Sequence, residues 1–169
     1  MNTADMEQSY LKSYEELADP LFRHIFFRVH TKEVAQDLLQ DTFTRVWQYI
    51  SEGKTIDNMK AFLYRTAHNL VIDYYREKKE VSLDAMHEEG FDAPDTRSNS
   101  PYVGAEMAQF EKALATLPED YREAVRMRLV EDLTPEEIAE VLGEKANAVS
   151  VRIHRGVEMI RKEMKINRE

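Results

Sequence analysis

The sequence predicts an all-α protein: two small helical domains joined by a flexible linker. Three observations carry that expectation. Apolar residues recur at helical steps through most of the chain, with no sustained alternation of apolar and polar residues of the kind a half-buried strand needs. Glycine and proline, at 5 each, are too few for the many tight turns of a sheet protein. The pattern fails over residues 81–104, where EEGFDAPDTRSNSP is acidic and rich in turn formers. This places one domain at residues 1–80, the linker at 81–104 and a second domain at 105–169. A surface loop within a single domain is the alternative for the middle segment.

Taken in order, the first element is a helix after the start signal Asp19-Pro20, burying Leu17, Leu21, Ile25 and Val29 with Phe22 and Phe26 alongside. A second helix carries Ala35, Leu39, Thr42 and Val46, flanked by Leu38 and Phe43 and closed by Trp47. The turn-rich loop SEGKTIDN follows, and then a third helix with Leu63, Ala67, Leu70 and Tyr74 inward. Beyond the linker, Phe110, Ala113, Leu114 and Leu117 open a new helical domain.

Near the C-terminus the local signals are strong. Thr134 can cap, Pro135 suits the first helical position, and Glu137 completes a capping box. Ile138, Ala139 and Leu142 form the inward face, and Gly143 stands where a left-handed residue ends a helix. Val149, Ile153, Val157 and Ile160 then start a second apolar stripe. Two helices joined by one short turn match a DNA-reading hairpin, whose second helix enters the major groove. Its outward face offers Asn147, Ala148, Ser150, Val151, Arg152, His154 and Arg155, where arginine pairs with phosphate or guanine and Asn, Ser and His read base edges. A solvated face on an ordinary helical hairpin is the competing reading.

The third helix carries Arg65, Asn69, Ile72 and Arg76 on one side. With Tyr64, His68, Tyr74 and Tyr75 nearby, that row suits a single strand, the cations meeting the backbone and rings or amides meeting the bases. The aromatics can equally be core. On the second helix Asp37, Asp41, Arg45 and Gln48 form a polar stripe, either solubilising or a docking face for a protein.

Composition bounds the chemistry. The net charge of −9 argues against a generally nucleic-acid-coating surface, yet residues 145–168 hold 7 basic and 2 acidic residues and residues 60–79 hold 5 and 2. DNA would lie along those two segments, with a large partner supplying much of the affinity. Zero cysteines exclude disulfides, thiol catalysis and cysteine-ligated zinc. No apolar run approaches the roughly 20 residues of a spanning helix. The N-terminus has no signal-peptide pattern, so a cytoplasmic location without membrane insertion is expected. No nucleophile–base pair, phosphate-cradling glycine loop or metal spacing is present, so no catalysis, cofactor, metal or small-molecule substrate is expected. His24 and His30 lack spaced partners, and His68 and His154 fall in separate segments.

Three stretches together resemble the extracytoplasmic-function group of bacterial RNA polymerase sigma factors. AQDLLQDTFTRVW is similar to that family's D-x-x-Q-E-x-F-x-x-x-W helix, and FLYRTAHNLVIDYYR to its W-L-x-R-I-A-x-N-x-x-x-D-x-x-R helix. LATLPEDYREAVRMRLVEDLTPEEIAEVLGEKANAVSVRIHRG parallels L-P-x-x-x-R-x-V through to V-x-x-R-x-H-R. The resemblance covers roughly residues 10–165.

The resemblance implies an initiation subunit that binds core RNA polymerase, recognises promoter DNA and promotes melting. It puts Asp37, Leu38, Gln40, Asp41 and Phe43 against the clamp helices of the polymerase β′ subunit, and the second domain near the β flap. Arg65, Asn69 and Arg76 would hold the single strand of the minus-ten element, one base being flipped into a pocket formed with the loop at residues 51–60. Asn147, Ser150, Val151, Arg152, His154 and Arg155 would read the minus-thirty-five element. The linker would thread toward the active-site and RNA-exit channels, and an anti-sigma factor would regulate the protein. The chain departs from the family pattern at Asn147-Ala148, usually Gly-Thr, at Ser150-Val151, usually small polar or basic, and at Asp41, usually Glu. His68 fills a variable position, and the loop before Ala61 lacks the common Phe-Arg pair. A dimeric operator-binding regulator with a sensory N-terminal domain is the class alternative, but a sensor has no need of the Arg–Asn row.

Overall fold

The computed structural model describes residues 2–85 and 104–166, which form helices and turns with no strand among them. The chain divides into two compact units, 1–95 and 96–169.

In the first unit, α1 (Thr3–Val29), α2 (Lys32–Ser51) and α3 (Met59–Ala85) pack pairwise on one another. Their core is Leu21 and Ile25 from α1, Ala35, Val46 and Ile50 from α2, and Leu63, Tyr64 and Ala67 from α3, all essentially inaccessible. The start of α1 corrects the sequence expectation. Pro20 lies inside a helix of 27 residues that begins at Thr3. The start is fixed by a capping box, in which the Asp5 N–H donates to Asn2 Oδ1 at 2.9 Å and the Asn2 N–H donates to Asp5 Oδ2 at 3.2 Å. Pro20 costs α1 one backbone hydrogen bond. Glu16, whose carbonyl would have accepted that bond, is exposed.

α2 passes to α3 through Gly53, whose φ of 79° lies in the left-handed region that suits glycine. Asn58 starts α3 by accepting the Ala61 N–H at 3.0 Å. α3 continues through residues 81–85, which the sequence assigned to the linker. The rest of that segment, apart from Gly104, lies outside the described residues.

The second unit contains α4 (Ala105–Ala115), α5 (Glu119–Leu129), α6 (Pro135–Leu142) and α7 (Ala146–Ile166). Leu114, Leu117, Val125, Met127, Leu133, Ile138, Val149 and Ile160 are among its buried residues. The sequence reading did not single out α5, whose polar residues obscure its buried Ala124, Val125 and Met127. Two of those polar residues do structural work. Arg126 is buried and donates to Glu111 Oε2 at 2.5 Å, with Glu123 3.7 Å away. Arg122 closes the C-terminus of α4, donating to the carbonyls of Leu114 at 3.3 Å, Ala115 at 3.3 Å and Leu117 at 3.0 Å. A cation there meets both the unpaired carbonyls and the negative end of the helix dipole. Arg122→Ala is therefore expected to destabilise the second unit by about 1.5–3 kcal/mol, the usual worth of hydrogen bonds to a charged group. Urea denaturation followed by circular dichroism checks this, and an unchanged midpoint would remove Arg122 from the account.

Candidate nucleic-acid interface

The hairpin of α6 and α7 is built by its caps. Thr134 Oγ1 accepts the Glu137 N–H at 3.2 Å, and Glu137 Oε2 accepts the Thr134 N–H at 3.0 Å. Gly143, at φ 67°, ends α6, and the Glu144 N–H returns to the Ala139 carbonyl at 2.9 Å. Ile138 and Ala139 are buried as expected, but Val141 (3% exposed) rather than Leu142 completes the inward face of α6. On α7, Val149 and Ile160 are buried and Ile153 and Val157 half-buried. The helix is thereby held with Asn147, Ala148, Ser150, Val151, His154 and Arg155 exposed on one face.

Arg152 behaves differently from the others. Its guanidinium makes a two-pronged contact with the Glu144 carboxylate, Nη1 to Oε1 at 3.1 Å and Nη2 to Oε2 at 2.7 Å. Arg155, by contrast, has no ion pair among the described residues. Beside the exposed face lies an open cleft of about 380 Å³. Ile153, Val157 and Pro135 give it apolar walls, and Arg128, His154 and the Arg161–Glu158 ion pair, at 2.9 Å, line its edges.

In the first unit Arg65, Asn69, Ile72 and Arg76 are all exposed, and α3 presents them on one side. Arg76 leans on Asp73, 3.6 Å away, while Arg65 has no ion pair among the described residues. The aromatic candidates divide. Tyr64 and His68 are core, packed at ring separations of 5.2 Å and 5.6 Å against the fully buried His24. Those histidines, widely separated in sequence, are thus spatial neighbours, which sequence spacing could not reveal. They do not belong to any group of three or more metal-capable side chains among the described residues. Tyr74 is half-buried and Tyr75 exposed, and the Tyr75 hydroxyl donates to the Arg28 carbonyl. Burial, reinforced by Tyr74 and opposed by Arg28, raises the Tyr75 pKa above the ordinary phenol value, so the hydroxyl stays a donor. In the loop before α3, Lys54 pairs with Glu52 at 2.5 Å and lies 4.8 Å over the Tyr49 ring, which in turn packs on Phe62 at 4.9 Å. The hydrogen bond that the Lys54 ammonium donates to the Glu52 carboxylate raises the Lys54 pKa.

On α2, Asp37, Gln40 and Asp41 are exposed and Leu38 is half-buried. Phe43 is only 4% exposed, so as a direct docking contact it is displaced: it packs under Tyr10 and Tyr14, at ring separations of 6.0 Å and 4.8 Å. Trp47, expected to close the buried stripe, is instead 39% exposed, 5.2 Å from Tyr10. Tyr10 donates to the Phe43 carbonyl at 3.1 Å, and desolvation raises its pKa. Leu11, Tyr14 and Trp47 are thus exposed apolar side chains on α1 and α2, and starting the first helix at Asp19 leaves the first two out. The spacing of Tyr10, Leu11 and Tyr14 was the available signal.

No helix among the described residues is long and apolar enough to cross a membrane. Residues 13–81 match the Sigma-70 region 2 family model, and residues 107–160 match Sigma-70, region 4. The chain is 30% identical over 162 residues to the ECF RNA polymerase sigma factor SigE of Mycolicibacterium smegmatis, covering 92% of this chain and 63% of that relative. It is 29% identical over 170 residues to the RNA polymerase sigma factor YlaC of Bacillus subtilis, covering 97% and 94%. Among solved structures, the sigma factor RpoE in complex with the anti-sigma factor NepR from Bartonella quintana is similar in fold, with a TM-score of 0.71 at 19% identity over 94% of this chain and 98% of that one. CnrH in complex with the cytosolic domain of CnrY gives a TM-score of 0.67, also at 19% identity, over 97% and 95%.

Proposed function

Because the chain belongs to the extracytoplasmic-function group of RNA polymerase sigma factors, we propose that it acts in the cytoplasm as a non-catalytic initiation subunit that joins core RNA polymerase and opens promoter DNA. The observation that carries this reading is the capped α6–α7 pair with its exposed face of Asn147, Ser150, Val151, His154 and Arg155. These side chains stand on a helix whose other face is locked into a core, which is what base reading in a major groove requires. The row of Arg65, Asn69 and Arg76 on α3 supports a second contact, to the separated strand of the minus-ten element. The exposed polar residues Asp37, Gln40 and Asp41, two of them acidic, with exposed Tyr14 and Trp47, support docking of α2 on the β′ clamp helices, and the second unit would meet the β flap.

Regulation by an anti-sigma factor is part of the proposal, supported by the similar sigma factor RpoE, which is solved in complex with the anti-sigma factor NepR. The reading is tested by transcription in vitro with purified core polymerase on a pool of randomised promoters. Transcripts dependent on this chain establish the role and yield both promoter motifs. Duplex binding without any such dependence would favour a stand-alone regulator.

A narrower expectation concerns Arg155. Arg155→Ala is expected to weaken duplex binding about equally across sequences and to reduce the salt slope by about 1 if the guanidinium holds phosphate. A loss of about 1–3 kcal/mol confined to one base pair would assign it to base readout instead. Competition binding with single-position variants of the selected element distinguishes the two.

A further inference from the structure

We propose that Glu144 is a specificity-determining residue of duplex recognition, acting by holding Arg152 away from phosphate. The inference rests on the reading of α7 as the DNA-facing helix. Glu144 sits in the turn immediately after Gly143, and its backbone N–H is tied back to Ala139 at 2.9 Å, so its carboxylate hangs from a fixed point. The two contacts to Arg152, at 3.1 Å and 2.7 Å, are a parallel fork-on-carboxylate pair, the geometry that best restrains a guanidinium. The Arg152 side chain is 21% exposed and that of Glu144 35%, whereas Arg155 on the same helix is exposed.

The consequence follows from how cations bind DNA. Each phosphate neutralised releases counterions, and this sequence-independent term supplies most non-specific affinity. An arginine already neutralised by the protein contributes little to it. Glu144 therefore removes one cation from the phosphate-binding set without touching the base-facing groups Asn147, Ser150, Val151 and His154. Discrimination between promoters and random duplex rises at the expense of total affinity. This agrees with the charge of the second domain, where residues 105–169 hold 11 basic and 14 acidic residues.

The test uses the full chain, wild type and variant, with labelled duplexes carrying either the selected minus-thirty-five element or a scrambled sequence, over a range of KCl concentrations. Glu144→Gln keeps the shape of the side chain and cancels its charge. The expected result is tighter binding to both duplexes, a plot of log affinity against log salt steeper by about 0.9, and a smaller ratio of selected to scrambled affinity. Combining it with Arg152→Gln should return the slope to that of the wild type. An unchanged slope in Glu144→Gln, with or without a lower melting temperature, would make the pair a structural clamp only and overturn the inference. Weaker binding confined to the selected element would overturn it as well, by assigning Arg152 to base contact under Glu144's guidance. If the wild type shows no salt-dependent duplex binding in any form, the DNA reading of α7 fails and this inference falls with it.

Discussion

Gly156→Val is expected to unfold most of the second unit and to remove duplex binding with it, while the first unit keeps its own transition. Gly156 is buried in α7 where that helix packs on α5. A Cβ at this position would lie 2.5 Å from Val125 Cγ2, far inside contact distance. Val125 is fully buried and β-branched, so its methyl cannot swing away by changing a flexible end. Replacing glycine by alanine in a helix interior gains about 1 kcal/mol of propensity, and that gain must be set against the clash. Valine brings the same Cβ, two further methyl groups and a lower helix propensity. Overpacking typically costs about 1–3 kcal/mol, and the loss here should reach about 3 kcal/mol or more because the helices must separate. Marginal stability of small domains makes that decisive. Urea denaturation of the full chain, with far-ultraviolet circular dichroism and duplex binding measured on the same samples, is the check. Wild-type unfolding and binding in Gly156→Val would mean that the α5–α7 distance is not set at this glycine.

The same glycine shows where sequence reasoning ends. Where several local signals coincide, the sequence reading and the structure agree. The box at Thr134 and Glu137 and the left-handed Gly143 lie within one hairpin, and they appear as written. The apolar stripe of α3 is legible for the same reason, since Leu63, Ala67 and Leu70 need only a helical period. The failures involve competition or distance. Pro20 is as good a helix start as Asn2 on local grounds, and only packing over 27 residues makes α1 one helix. Gly156 looks like a tolerated defect until Val125 is placed beside it. Arg152 belongs to the exposed row by its spacing, yet Glu144 reaches it across the turn. Phe43 looks available on α2 until α1, extended back to Thr3, lays Tyr10 and Tyr14 over it.

Asn69→Ala is expected to reduce open-complex formation by about tenfold to a hundredfold while changing duplex binding by the second unit less than about twofold, the first figure corresponding to about 1.4–3 kcal/mol for a lost base-edge contact. The argument starts from the cost of melting. Taking a base out of the stack costs a few kcal/mol, so something on the protein must hold the extruded strand. An amide offers donors and an acceptor together, which suits a base edge better than the charge of Arg65 on the same face. The support is rigid: the neighbours of Asn69 in sequence, His68, Leu70 and Val71, are all buried, so the amide projects from a fixed helix rather than a loop. Removing it should leave α3 in place, because the side chain is exposed and helix propensity favours alanine. Fluorescence of 2-aminopurine placed in the minus-ten element reports melting by the assembled holoenzyme, and anisotropy of a minus-thirty-five duplex reports binding without melting. Equal losses in both would mean that Asn69 supports the fold or the assembly and has no separate role on the single strand. Loss of melting alone, matched by Arg65→Ala but not by a substitution at an exposed position off that face such as Glu77→Ala, would mark the α3 row as the surface that holds the opened strand.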